Sequence, residues 1–345
     1  MPVLVLTSER FREHTPPPGH PECPERQDVM DAVAAQWRAA GGTVEAPAPA
    51  GDDAIRRVHS AAFVETLASA AGRAVMLDPD TFTSAESWDV SRLAAGAAIG
   101  AVDAVLDGRF ARAAALVRPP GHHSNRDRAR GFCLVNNAAV AAAHALARGC
   151  ARVAIVDVDV HHGNGTQEIF ESDPRLLSVS THQWPFYPGT GAADEVGIGD
   201  GRGFTVNIPI ERGATDADHQ LVFDEIVVPV TQRFQPDLVV ISAGFDAHEE
   251  DPLGGMRMST PGFGRLIGTL CRAADACAGG RVVLVTEGGY HPRALAASLA
   301  SSLSAMDGRL PDGSPRPAVV PPDTRRGAEA VRRVRAAQAP YWGGL

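Results

Sequence analysis

Val153-Ala154-Ile155-Val156-Asp157-Val158-Asp159-Val160-His161-His162-Gly163-Asn164-Gly165-Thr166 is an apolar run that passes directly into acid, imidazole and glycine. The run Val153 to Val156 reads as a strand buried on both faces, as in a parallel sheet. In open α/β sheets ligands collect where strands end at their carboxyl termini. Side chains alternate along extended backbone, so Asp157, Asp159 and His161 are expected to point to one side. A carboxylate and an imidazole two residues apart can grip one metal ion, and the plainer reading is a capped turn after a strand.

Apolar strand-like runs recur at 3–6, 113–117, 153–158, 176–180, 204–208, 237–241 and 281–286. Ala-rich segments of helical length lie between many of them, at 26–39, 90–106, 136–148, 217–234 and 262–277. This alternation predicts an α/β fold, a mostly parallel central sheet with helices on both faces. The clear compositional break is the Pro-rich segment 311–322, followed by a short basic helix at 325–338 and an apolar pair, Tyr341 and Trp342. One domain is expected over 1–310, with residues 311–345 forming a Pro-rich segment and a helix that packs back on it.

The 345 residues are 44% hydrophobic, enough for an extensive core, and carry 32 basic against 41 acidic side chains, a net charge of −9. That balance argues against a nucleic-acid surface and suits a cationic substrate. The five cysteines form no CxxC pair, and their odd number favours a reducing cytoplasm over a disulfide framework. No secretory leader and no run of about 20 apolar residues is present, so a cytoplasmic protein without a membrane partner is expected.

Three further clusters follow strand-like runs. Arg118-Pro119-Pro120-Gly121-His122-His123 sets two histidines on a rigid loop, and histidine titrates in the range general acid–base work needs. Alone such a pair reads as surface; beside a metal motif it becomes a candidate dyad. Gly244-Phe245-Asp246 offers a third ligand, Asp246, and two carboxylates with one imidazole leave the open position of a catalytic zinc site. As a plainer alternative, Asp246 caps its loop. Glu287-Gly288-Gly289-Tyr290 aims a tyrosine inward, as an oxyanion donor or as a packed turn residue.

These segments, with His20-Pro21-Glu22-Cys23-Pro24-Glu25-Arg26, Gly131-Phe132-Cys133-Leu134-Val135-Asn136-Asn137 and Tyr187-Pro188-Gly189-Thr190-Gly191, resemble the histone deacetylase superfamily. The superfamily includes bacterial deacetylase-like amidohydrolases and acetylpolyamine amidohydrolases. The resemblance runs from about residue 14 to 303, with Asn136-Asn137 and the His-Gly-Asn-Gly-Thr run closer to its class II. It implies the arginase–deacetylase fold and one zinc ion held by Asp159, His161 and Asp246. His123 would be general base and then acid, with His122 its electrostatic partner. Asp157 would orient His122, Asn164 would orient His123, and Tyr290 would clamp the acyl oxygen. Gly131, Phe132 and Tyr187 match the acyl tunnel, with Asp80 and Leu253 at its rim. Asp157, Ser180 and Thr181, with Asp159 and His161, match a structural potassium site. Phe170, Asp173, Leu176 and Phe204 match a second one. The implied reaction frees an amine from an acetyl (acyl) amide, on an acyl-lysine peptide or protein or on an acetylated polyamine or other small amine.

Rival readings are sorted by single residues. Asp246-Ala247-His248 resembles the binuclear manganese ureohydrolases, but Gly163, where they need another carboxylate, cannot ligate through a side chain. Leu253 at the rim and the short segment Leu77 to Ala94 favour acyl-lysine over polyamine, whereas Glu249, Glu250 and Asp251 could draw cationic amines to the mouth. A pseudoenzyme that only binds acyl-lysine would lack a ligand or Tyr290, and none is missing. His162 is read as structural, and His14, His59, His144, His182, His219, His248 and His291 as without catalytic role. Self-association into a homo-oligomer is left open.

Overall fold

The computed structural model describes residues 2–309 and 323–345. Its strands are β1 (Val3–Leu6), β2 (Thr43–Glu45), β3 (Val75–Asp78), β4 (Thr81–Thr83), β5 (Arg112–Ala115), β6 (Val153–Asp157), β7 (Leu176–Trp184), β8 (Thr205–Glu211), β9 (Leu238–Ala243) and β10 (Val282–Thr286). Eight form one sheet in the order β2-β1-β5-β10-β9-β6-β7-β8, and β3 pairs with β4 as a small antiparallel hairpin. Every pairing in the large sheet is parallel. The seven expected runs are all strands of this sheet, with β7 and β8 running further than their apolar cores. β2 and the hairpin went unread, since three or four residues are too short to show a period.

Side-chain alternation feeds two separate cores. Val3, Val5, Ala154, Val156 and Leu284 face one cluster, while Leu4, Leu6, Val153, Ile155, Val283 and Val285 face the other. The first core is roofed by helices Glu25–Ala39, Thr260–Cys277, Pro292–Met306 and Arg325–Gln338, and by a helical stretch from Asp216 to Phe234. That stretch widens into a π turn at Phe223–Val227, just before Pro229, whose missing N–H breaks the normal ladder. The second core lies under helices Ala61–Ser69, Ser87–Leu106 and Asn137–Ala147.

The last helix guards a sheet edge. Gln338 Nε2 donates to the Thr205 carbonyl of β8 (2.7 Å), and Trp342 Nε1 donates to the Gly203 carbonyl (2.7 Å). Arg233 donates to the carbonyls of Trp342, Gly343 and Gly344. The tail is thus docked along a strand whose free backbone groups would otherwise invite pairing. The Pro-rich stretch expected at 311–322 lies outside the described residues.

What the topology delivers to the site is alignment. β5, β10, β9 and β6 are consecutive neighbours, with Val282 opposite both Arg112 and Val239, and Asp157 opposite Ser242. Four loops therefore leave the same edge side by side.

Candidate active site

β6 ends at Asp157, and the next residues bend while keeping the two-residue alternation. His161 Nδ1 lies 3.0 Å from Asp159 Oδ1 and 3.2 Å from Asp246 Oδ2, and the three donor atoms all fall within 4.8 Å of one another. The remaining oxygens are spoken for: Asp159 Oδ2 accepts from Gly288 N (2.9 Å) and Asp246 Oδ1 from Val160 N (2.9 Å). Asp246 Oδ2, fully buried, has no hydrogen-bond donor. Burial and the neighbouring Asp159 charge push the Asp246 carboxyl up to about 7. Two buried carboxylates this close call for a cation. Zinc with bonds near 2.0–2.1 Å would have ligand edges of about 3.3 Å, close to the 3.0 and 3.2 Å from His161 Nδ1 to the two carboxylates. Phe186 stacks on His161 with centroids 5.2 Å apart and holds its ring.

The β5 loop brings the two histidines alongside. Their ring centroids are 4.0 Å apart, and both residues are 3% exposed. His122 Nδ1 meets Asp157 Oδ2 at 2.9 Å; His123 Nδ1 meets Asn164 Oδ1 at 2.8 Å. Burial opposes charge on both, but the Asp159 and Asp157 carboxylates overcome it at His122 and hold its pKa well above the usual value. At His123 burial, then the charges of His122 and His161, hold it well below. The neighbouring imidazoles are thus pushed in opposite directions, His122 toward the cation and His123 toward the free base. Gly163 permits this packing, since a Cβ there would stand 2.2 Å from Asp157 Oδ2. The carboxylate that a second metal would need has no room.

Tyr290 follows β10. Its ring meets Phe132 edge-on at 5.8 Å and carries the Arg26 guanidinium 4.9 Å from its centroid. Burial holds the phenol well above its ordinary pKa, against the pull of Arg26, so it stays a proton donor. Its turn is fixed from two sides. Arg26 Nε donates to the Gly289 carbonyl (2.7 Å), and Arg26 NH2 to that of Glu287 (2.6 Å). Asp251 Oδ2 accepts from Tyr290 N (2.7 Å) and His291 N (3.2 Å), and its Oδ1 from Leu253 N (2.9 Å). Asp251 is therefore 7% exposed and committed to backbone, which corrects its reading as an attractor of amines; Glu249 and Glu250 are exposed. Glu22 bridges Arg26 and Arg118, and Arg118, fully buried, also donates to the Phe11 and His14 carbonyls.

Gly131 (φ 57°) and Phe132 (φ 68°) form a left-handed turn beside His123. A Cβ on Gly131 would lie 2.5 Å from His123 Cδ2, so only glycine fits. Phe132 bears a cost of about 1–2 kcal/mol in that conformation. Asp80 Oδ1 accepts from Gly131 N (3.2 Å) and Thr81 Oγ1 from Phe132 N (3.0 Å), which holds the turn. Asp80 thus braces that turn from the β3–β4 hairpin. Tyr187, 40% exposed, meets His123 edge-on at 5.0 Å. Leu253 is half-buried on the loop that Asp251 anchors.

Around Asp157, Ser180 Oγ pairs with His182 Nδ1 (3.1 Å) and Thr181 Oγ1 donates to the Asp157 carbonyl (3.2 Å). Both hydroxyls thus have protein partners. A second cluster, His122, Cys133 and Glu287, is likewise closed: Glu287 accepts from Gly121 N, His122 N and Ser242 Oγ, and Cys133 donates to the Gly131 carbonyl. The roles of Arg26, Glu22, Arg118, Glu287 and Asp251 were not read from sequence. The available signal was charge in otherwise apolar surroundings, with Glu22 and Arg26 one helical turn apart. Three other buried histidines are hydrogen-bonded within the fold, His14 to Ser87, His59 to the Asn125 carbonyl and His219 to that of Thr215.

Known proteins resemble the chain over most of its length. The family profile described as "Histone deacetylase domain" matches residues 20–306. A "Probable deacetylase" of Archaeoglobus fulgidus is 38% identical over 289 residues, covering 83% of this chain and 80% of that protein. The "Histone deacetylase-like amidohydrolase" of Pseudomonas aeruginosa is 41% identical over 79% of this chain and 73% of its own length. The human "Polyamine deacetylase HDAC10" is 43% identical over 79% of this chain, which spans 40% of that protein. Among solved structures, the HDA15 HD domain superposes with a TM-score of 0.89 at 36% identity, covering 98% of this chain and 96% of that one.

Proposed function

We propose, from the premise that the chain belongs to the histone deacetylase family and has its arginase–deacetylase fold, that it is a zinc-dependent deacetylase of acyl-lysine side chains or similar primary-amine amides. The observation that carries the reading is the convergence of Asp159, His161 and Asp246, one carboxylate oxygen unpartnered, beside a neutral histidine. Those three side chains would hold zinc, which supplies Lewis acidity and lowers the pKa of water.

The chain's own groups do the rest. Asn164 Oδ1 accepts a hydrogen bond from His123 Nδ1–H, which leaves Nε2 as the base. His123 Nε2 takes a proton from the attacking water as its oxygen bonds to the acyl carbon. Tyr290 donates to the acyl oxygen as charge develops there. His123 then returns the proton to the departing nitrogen as the C–N bond breaks, giving a carboxylic acid and a free amine. Cationic His122, anchored on Asp157, favours the developing negative charge. Gly131, Phe132 and Tyr187 would line the acyl channel, with Asp80 and Leu253 near its rim.

A second reading, deacetylation of acetylated polyamines or other small amines, is favoured by the acidic mouth. Asp78 and Asp80 share the hairpin turn, and both charges bear on Tyr187. Structural potassium at Asp157, Ser180 and Thr181 has only the family resemblance behind it. Zinc content measured with release of a fluorophore from an acetyl-lysine amide tests the main reading. Zinc-loaded protein inert toward both acetyl-lysine and acetylpolyamine amides would sink it. The kcat/KM values on the two substrates, side by side, decide between the readings.

A further inference from the structure

Asn164 presents a problem that a carboxylate in its place would not. An amide has an acceptor and a donor edge of nearly the same shape, and a half-turn about its last torsion exchanges them. With Oδ1 toward His123, the imidazole proton sits on Nδ1 and Nε2 is free to act as base. With Nδ2 toward His123, the proton must move to Nε2 and the base is lost.

One turn further along the same helix, Asn164–Phe170, stands Glu168, on the face Asn164 occupies. Asn164 Nδ2 donates to Glu168 Oε1 at 3.3 Å. Glu168 also accepts from Arg130 NH2 and from Asn125 Nδ2. Arg130 Nε in turn donates to the His123 carbonyl at 3.0 Å. A carboxylate has no proton to give, so a reversed amide would turn its oxygen onto negative charge. We propose that Glu168 is a positioning residue that locks the Asn164 amide and, through it, the Nδ1–H tautomer of His123. The surface pair Arg130–Glu168, 19% and 36% exposed, is then part of the catalytic support. As mere surface ion pairing it would contribute little.

This inference rests on the deacetylase reading for its kinetic arm only. Glu168→Ala is expected to lower kcat about tenfold with KM within about twofold, the lower range for an outer hydrogen-bonding partner. Glu168→Gln should restore most of the rate, because Arg130 donates to the same oxygen as Asn164 and keeps the Gln oxygen, not its NH2, turned toward Asn164. In an Asn164→Asp background there is no amide to orient, so Glu168→Ala should cost nothing further. Equal losses in both backgrounds, or an unchanged kcat for Glu168→Ala, would overturn the proposal. The second arm needs no turnover: ¹⁵N-histidine spectra of the metal-free protein, assigned with His123→Gln. They should show His123 protonated on Nδ1 in the wild type and a mixture in Glu168→Ala. An unchanged tautomer would also overturn it. If the wild type cleaves neither amide substrate the deacetylase reading fails, and the spectra still decide the role of Glu168.

Discussion

Two clusters of buried histidines and acids sit along the same sheet edge, and they are built to opposite ends. The central one, at β5, β10, β9 and β6, gathers Asp157, Asp159, Asp246, His122, His123 and His161. The flanking one, at β7 and β8, gathers His162, His182, Gln167, Asn207 and Glu195. In the flank both nitrogens of each imidazole are matched: His162 with Thr190 Oγ1 (2.9 Å) and Gln167 Oε1 (3.0 Å), His182 with Ser180 Oγ and the Gly191 carbonyl. Burial keeps both neutral, His162 at about 4 and His182 well below its usual value. In the centre charge is left over, as the unpartnered Asp246 Oδ2 displays. A closed network holds a loop, here Tyr187 to Gly191; an open one could hold an ion.

The sharpest way to break this contrast is to close the centre. Asp246→Asn keeps an acceptor for Val160 N and removes the surplus charge. Bound zinc should fall to background and turnover by more than about 10³-fold, as Lewis acid and acidified water go together. The metal-free variant should melt above metal-free wild type, because the repulsion between the buried Asp159 and Asp246 carboxylates has gone. A lower melting temperature with zinc retained would show that the centre is not open. Tyr290→Phe comes next: zinc stoichiometry kept, kcat down roughly 10²–10³-fold, as for loss of one oxyanion donor. Unchanged turnover would remove Tyr290 from the mechanism.

How much of this was legible differs by range. Strand ends announced themselves because each apolar run stops at a chemically distinctive group, and the four runs proved to be neighbours. His161 and His162 are adjacent and identical in type, yet alternation alone sends one to the centre and the other to the flank. Asp251 was misread because its partners are Tyr290 N and His291 N, some forty residues away, and an acidic run in sequence looks the same whether solvated or hooked onto backbone. The Glu22–Arg118 pair spans 96 positions and had no local signature beyond charge. Asp80 was placed at the rim by resemblance, but its grip on the strained Gly131–Phe132 turn needed coordinates.

The flank predicts structural effects only. His162→Ala removes a buried ring and its hydrogen bonds to Gln167 Oε1 and Thr190 Oγ1, so stability should fall by about 2–4 kcal/mol. Urea unfolding reads that loss, while zinc content and kcat stay within about threefold, well short of the effects expected at the centre. Loss of zinc in this variant would erase the division between the two clusters.

The smallest effect is a slope. Unfolded histidine titrates near 6.5, whereas folded His162 is held at about 4 by burial. Between those values the unfolded chain binds a proton that the folded one refuses. Stability is therefore fully present above about pH 6.5 and falls as the pH drops toward 4, by about 3 kcal/mol in all for this one group. His59, also held at about 4, adds a similar slope. His162→Gln removes only the first contribution. Unfolding free energies measured from pH 7 to pH 5 should thus decline less steeply in the variant, by up to about 1.4 kcal/mol per pH unit. Identical slopes would mean that folded His162 accepts the proton after all. The flank would then carry charge, as the centre does.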